Sequence, residues 1–187
     1  MKKINKFDQS SAYKSPWSLN EKIKEATWII CYILFFRFTP KYWVKWRNRI
    51  LSIFGAKIHG TPYVAPSAKI KKPWNLVLED RACIGPDVDI YNLGIVAIGL
   101  RSTVSQQTYI CNGSHDLSLS TLPLITSEIV IGDDVFIGAR VLILLGVKIN
   151  NGAVVGAGSV VSKDIPEWMI CAGNPCKPFK ARNFKYI

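Results

Sequence analysis

The sequence predicts a mainly β protein: a parallel β-helix with a helical segment in front of it and a loop leaving its side. Three observations carry that prediction. An aliphatic residue recurs every six positions at Ile131, Ile137, Ile143, Ile149, Val155 and Val161. A second restricted position follows four residues after each start, at Val135, Val141, Val147, Ala153, Ser159 and Ile165. Glycine often stands directly after the start, as at Gly132, Gly138 and Gly156. A strict six-residue repeat is the mark of a hexapeptide β-helix, in which each hexapeptide gives one short strand and one turn and three make a triangular coil. The starting aliphatic points inward, so stacked coils bury a continuous apolar column. An amphipathic helix repeats at 3.6 residues and a half-buried strand at 2, so neither accounts for a period of six.

The repeat extends upstream with interruptions. Ile58, Val64 and Ile70 are in step; Leu78, Ile84 and Ile90 follow after a two-residue shift, and Ile98, Val104 and Ile110 after another. Register is then lost from Gly113 to Glu128 and returns by Ile131. A solenoid accommodates such an insertion as a loop leaving one corner. Residues 56–166 are therefore read as the β-helix with loop 113–128, residues 1–55 as a helical lead-in and 167–187 as a tail. Loops on a rigid scaffold often carry function, and this one carries His115.

Charge is unevenly spread. The 187 residues carry a net charge of +11. Residues 1–57 hold 12 Lys and Arg against 3 Asp and Glu, whereas 58–187 hold 12 against 10. The appendage is basic and the repeat region nearly neutral, without the basic patch of a nucleic-acid fold. Five cysteines (Cys31, Cys83, Cys111, Cys171 and Cys176) form no CxxC pair and no metal-like spacing. Reduced thiols in a cytoplasmic setting fit best. Met1, Lys2 and Lys3 open the chain, but Phe7–Ser18 is mostly polar, so no secretory signal is read.

Within the lead-in, Ser18 and Glu21 have capping-box spacing, which starts a helix running through the apolar stretch Ala26–Phe36. Eleven apolar residues are too few to span a bilayer, which takes about 20. Thr39, with Pro40 after it, is read as the cap of a second helix ending near Phe54, with Gly55 as its stop. Residues 18–54 mix basic and aromatic side chains. Such a pair can pack on the β-helix or a neighbouring subunit, or also lie on an anionic membrane surface; both readings stand.

Only two histidines are present, so a three-histidine zinc site cannot be assembled within one chain. His59, beside Gly60 and Pro62, reads as a turn residue. The carboxylate pairs Glu79–Asp80 and Asp133–Asp134 read as solvated turn residues. No P-loop or dinucleotide fingerprint occurs. His115 sits in Cys111-Asn112-Gly113-Ser114-His115-Asp116, where register breaks. A histidine can take a hydroxyl proton near neutral pH.

The hexapeptide array, the segment "ICNGSHD" and the tail "VVGAGSVVSKDIPEWMICAGNPCKPFK" resemble the hexapeptide-repeat acetyltransferases. Within that family, "KKPWNLVLED", "DIYNLG" and "GSHD" resemble the colanic-acid-type exopolysaccharide acetyltransferases, and the likeness reaches back to "FGAKI". The resemblance implies a left-handed β-helix, a homotrimer, and acetyl-CoA held between neighbouring β-helices with no metal. It implies His115 as general base near the acceptor hydroxyl. It places the coenzyme at Ala139, Ala157, Ser162, Lys163, Lys177 and Lys180, and a saccharide acceptor at Asn92. Asp116 is read on the acceptor side, and either it or a backbone carbonyl can orient the His115 ring. Ala139 stands where relatives often have serine, and Lys177 and Lys180 where they often have arginine, so bidentate phosphate contacts are reduced to point charges.

The resulting reading is an O-acetyltransferase acting on a sugar hydroxyl in surface-glycan synthesis, working in the cytoplasm or on the inner membrane face, without nucleic acid. Two alternatives stay open: another small acceptor (a free sugar, an amino sugar or serine), or a silent β-helix scaffold.

Overall fold

The computed structural model describes residues 3–7 and 14–185. Residues 1–2, 8–13 and 186–187 lie outside the described residues; they include part of the polar opening weighed above as a secretory signal and the end of the tail. The six-residue repeat folds as read, into a parallel β-helix of about six coils with three faces. The first face stacks Lys57–Ile58, Leu76–Leu78, Val96–Ile98, Ile129–Ile131 and Lys148–Ile149. The second stacks Tyr63–Val64, Cys83–Ile84, Thr103–Val104, Phe136–Ile137, Val154–Val155 and Met169–Ala172. The third stacks Lys69–Ile70, Asp89–Tyr91, Tyr109–Cys111, Leu142–Ile143 and Val160–Val161.

Pairing between coils places each repeat start over the next. Ile58, Leu78, Ile98, Ile131 and Ile149 align on the first face, and Ile165 continues the line through a parallel bridge. Val64, Ile84, Val104, Ile137 and Val155 align on the second. These side chains are almost all buried, and each contributes about 1.5–3 kcal/mol of transfer free energy. The column continues past residue 166, because Cys171 stacks on Val155 in the aliphatic position. Lys177–Ala181 then folds back antiparallel on Met169–Ala172 and covers that sheet edge.

The corners do not rest on glycine alone. At most corners, though not all, the residue three positions after a start is left-handed, and it is often not glycine: Arg101 has φ +56°, Gln107 +60°, Asp134 +54° and Arg140 +58°. Gly138, directly after a start, serves close approach instead. A Cβ there would lie 2.6 Å from the Ala157 nitrogen on the next coil.

The helical lead-in caps and flanks the column. Helix α1 spans Leu19–Cys31 and opens with the predicted Ser18–Glu21 capping box; a π-helical turn continues it through Tyr32–Phe36. Its Trp28 packs among Tyr32, Phe36 and Phe54 and donates its indole N–H to the Ile70 carbonyl at 2.7 Å. Helix α2 spans Val44–Ile53, several residues later than the Thr39 cap predicted. The reason is Arg47, a wholly buried guanidinium. It donates to Thr39 Oγ1 (3.0 Å) and to the carbonyls of Pro40 (2.8 Å), Lys41 (2.7 Å) and Val64 (2.8 Å). Thr39 itself donates back to Phe36 O at 2.7 Å, so its hydroxyl turns away from a cap. Gly55 ends α2 as expected. At φ +94° it donates to Ser52 O, while Ala56 N–H reaches Leu51 O, a complete Schellman pair.

The stretch 113–128, read as a loop, is a β-hairpin. Gly113–His115 pairs antiparallel with Leu124–Ser127. Ile4–Lys6 adds a third strand on the other side of Leu124–Ser127. No local pattern announces that three-residue strand.

Candidate active site

The hairpin leaves the corner between the third and first faces, where the chain carries its two-residue shifts. Buried carboxamides hold that corner. Asn92 accepts from Lys72 N–H (2.9 Å) and donates to Lys72 O (2.7 Å). One coil on, Asn112 accepts from Gly94 N–H (2.9 Å) and donates to Ile95 O (3.0 Å). Asn92 was expected beside an acceptor. It is instead 0% exposed with both amide atoms engaged by backbone, so it shapes the corner. Gly113 lets the hairpin cross close over Leu93, whose Cδ1 would lie 2.8 Å from a Cβ at this position.

His115 ends the outgoing strand and is exposed. Its Nδ1 lies 2.6 Å from the Leu122 carbonyl. A carbonyl only accepts, so the neutral ring carries its proton on Nδ1 and leaves Nε2 as a lone-pair acceptor. Leu122 delivers that carbonyl from a left-handed backbone, φ +45°. The hairpin tip is closed by Asp116 N–H to Pro123 O (2.9 Å) and Leu122 N–H to Leu119 O (3.0 Å). Of the two candidates for orienting the ring, the backbone carbonyl holds it. Asp116 instead accepts from Lys6 Nζ (2.8 Å), Ser118 Oγ (2.6 Å) and Ser118 N–H (3.0 Å). The Lys6 hydrogen bond, then those of Ser118, hold its pKa down at about 2. Asp116 thereby ties the tip to the added N-terminal strand.

The residues expected to meet coenzyme occupy three separate places. Ala139 and Ala157 lie on successive coils at the corner between the second and third faces, where Gly158 N–H donates to Ala139 O at 2.9 Å. Ser162 and Lys163 follow Val160–Val161, at the corner the hairpin leaves, and are exposed. Lys177 and Lys180 stand exposed on the terminal strand Lys177–Ala181. One chain therefore carries Lys163 on the same prism edge as the His115 hairpin, with Ala139 and Ala157 on another edge and Lys177 and Lys180 on the terminal strand.

The remaining titratable groups read as structural. His59 Nδ1 pairs with Glu79 Oε1 at 2.9 Å on the surface. Asp134 holds Arg101 in a two-pronged ion pair, both contacts 2.6 Å. Burial pushes the Cys31, Cys83 and Cys176 thiols up, and Cys171 to about 11. Cys111 donates its thiol hydrogen to Gly113 O at 3.3 Å. Among the described residues no group of three or more His, Cys, Asp and Glu could hold a metal ion.

Comparison with known proteins agrees with this architecture. Residues 128–163 match the model of the hexapeptide repeat of succinyl-transferase. The chain is 39% identical over 160 residues to an Escherichia coli protein named as a colanic acid biosynthesis acetyltransferase, WcaF, covering 86% of this chain and 88% of that one. A hexapeptide-repeat acetyltransferase of Vibrio cholerae, solved with acetyl-coenzyme A, superimposes with TM-score 0.82 at 21% identity, over 92% of this chain and 94% of the other. A maltose O-acetyltransferase of Clostridium difficile superimposes with TM-score 0.73 at 24% identity, over 87% and 88%. At such identities the superpositions speak to fold; the extended match to the Escherichia coli protein speaks to family. A hexapeptide column with this corner, hairpin and tail, matched over most of its length, places the chain in the hexapeptide-repeat acetyltransferase family.

Proposed function

We propose that this protein is an acetyl-CoA-dependent O-acetyltransferase that modifies a sugar hydroxyl during exopolysaccharide, capsule or other surface-glycan synthesis, with His115 as general base. The enzyme class follows from the family; the acceptor class draws on the Escherichia coli relative named for colanic acid biosynthesis. The observation that carries the catalytic assignment is the 2.6 Å contact between His115 Nδ1 and Leu122 O, which in the neutral ring puts the proton on Nδ1 and leaves the Nε2 lone pair available on an exposed hairpin.

Acetyl-CoA supplies the acetyl group as a thioester. The acceptor hydroxyl is a poor nucleophile at neutral pH. His115 Nε2 takes its proton as the oxygen bonds to the carbonyl carbon, which is worth typically about 10²–10⁴-fold. The Leu122 carbonyl steadies the imidazolium that forms. The same Nε2 then returns the proton to the departing thiolate as the carbon–sulfur bond breaks. Transfer is direct, within a ternary complex. Lys163, Lys177 and Lys180 suit coenzyme phosphates as exposed point charges, and Ala139, Ala157 and Ser162 would line its path; Asp116 would stand at the acceptor side.

The assembly belongs to the same proposal. Because Lys177 and Lys180 stand on the terminal strand of the second-face sheet rather than on the hairpin's edge, a shared cleft would form when chains stand side by side, and three chains close such a ring. The working compartment is the cytoplasm, where acetyl-CoA is found. Release of free CoA thiol tests the function: the protein with acetyl-CoA and polysaccharide-derived sugars should release thiol above the no-acceptor rate. Thiol release only with serine or an amino sugar would move the acceptor class, and none with any acceptor would return the protein to a scaffold.

A further inference from the structure

Helix α1 carries two apolar faces, and the β-helix covers one. Trp28, 2% exposed, faces the third sheet. On the opposite side, Leu19, Ile23, Ile30 and Leu34 recur at four- and seven-residue spacing, and all are exposed. The π-helical turn adds Ile33, and the bend beyond it adds Phe38 (79% exposed), Tyr42 (87% exposed) and Trp43.

Charge is sorted along the same division. Of the two acidic residues of α1, Glu25 pairs with Lys71, and Glu21, 41% exposed, lies at the helix start 3.9 Å from Lys72 Nζ. From Ala26 to Ala56 no acidic residue occurs, whereas Arg37, Lys41, Lys45, Arg47 and Arg49 do. Of these only Arg47 is buried. An apolar stripe with tryptophan and tyrosine at one end, edged by cations and free of carboxylates beyond Glu25, is the composition of a segment lying in a lipid interface. A second copy on the same surface would set cation against cation across a two-fold axis. Among the described residues no helix is long and apolar enough to cross a membrane, so the segment would lie along the bilayer.

We propose that residues 19–46 form a docking surface for an anionic lipid bilayer, with Ile30, Leu34 and Phe38 entering the acyl boundary and Arg37, Lys41 and Lys45 meeting lipid phosphates. The docking is separate from the acetyl-transfer chemistry and stands whether or not His115 is the base.

Vesicle flotation of the full chain tests it. Vesicles of equal parts phosphatidylcholine and phosphatidylglycerol should bind at least ~10-fold more tightly than phosphatidylcholine alone, and release protein as salt rises to about 0.5 M. The variant Ile30→Ser/Leu34→Ser/Phe38→Ser keeps the net charge and alters only exposed positions. It should lose most of that binding at unchanged melting temperature, whereas His115→Ala should retain it. Full binding by the triple variant would reduce the effect to bare charge attraction and overturn the docking surface. No vesicle binding by the wild type, with a change of oligomeric state in the triple variant, would assign the surface to a neighbouring copy and likewise overturn it.

Discussion

The Leu122 carbonyl accepts from His115 Nδ1 at 2.6 Å, across the closed end of a hairpin. The backbone that delivers it is left-handed at Leu122, φ +45°, a conformation that disfavours β-branched side chains most. Leu122→Gly should therefore preserve turnover. Leu122→Val should lower kcat by about 10-fold with little change in the KM for acetyl-CoA, because the ring loses its orientation while coenzyme contacts remain. Steady-state kinetics on the two variants separates these outcomes; equal effects on kcat would detach the carbonyl from the mechanism.

Arg47 joins the bend before α2 to the first coil through four hydrogen bonds. Removing a buried charged donor leaves carbonyls without partners, at about 1–3 kcal/mol or more. Arg47→Ala should lower the unfolding free energy by at least ~2 kcal/mol in urea. A change under about 0.5 kcal/mol would mean water replaces the guanidinium at little loss.

The Lys6–Asp116 contact gives a pH prediction whose sign follows from the depressed carboxyl. Asp116 titrates at about 2 in the fold and near 3.9 when unfolded. Its contribution to holding the N-terminal strand is present above about pH 4 and is lost as pH falls toward about 2. Hydrogen exchange at Ile125 and the neighbouring hairpin amides should quicken over that window. Lys6→Met should move the Asp116 pKa upward by NMR titration; an unmoved pKa would leave Ser118 as its whole cause.

Much of the fold was legible from the sequence because inward-facing positions of a β-helix accept little but aliphatic side chains. The Ile131–Val161 run, the Ser18–Glu21 cap and the Gly55 stop all reflect local rules that tertiary contacts reinforce. Other features depend on partners far along the chain. The Ile4–Lys6 strand exists because Leu124–Ser127 offers an edge about 120 residues away. Cys171 occupies a column position under a residue type the repeat did not flag. Thr39 looked like a cap until Arg47 claimed it and the carbonyls that follow. At the candidate site, the register break located His115, but only the fold shows that Asn92 is sealed within the corner and that a backbone carbonyl, not Asp116, orients the imidazole.

Coenzyme recognition is predicted to be electrostatic at the terminal strand. Replacing Lys177 and Lys180 together with Ala should raise the KM for acetyl-CoA roughly 10-fold and that for the acceptor by less than about 2-fold. Because both side chains are exposed, the effect should shrink with added salt. Equal changes in the two constants would remove this strand from the coenzyme site.

The most direct measurement is turnover of His115→Ala with acetyl-CoA and a saccharide acceptor, made beside light scattering and a CoA-binding isotherm. Turnover should fall at least about 100-fold with assembly and CoA affinity unchanged, since the substitution is at an exposed hairpin position. Turnover within about 3-fold of wild type would contradict the assignment of His115 as the base.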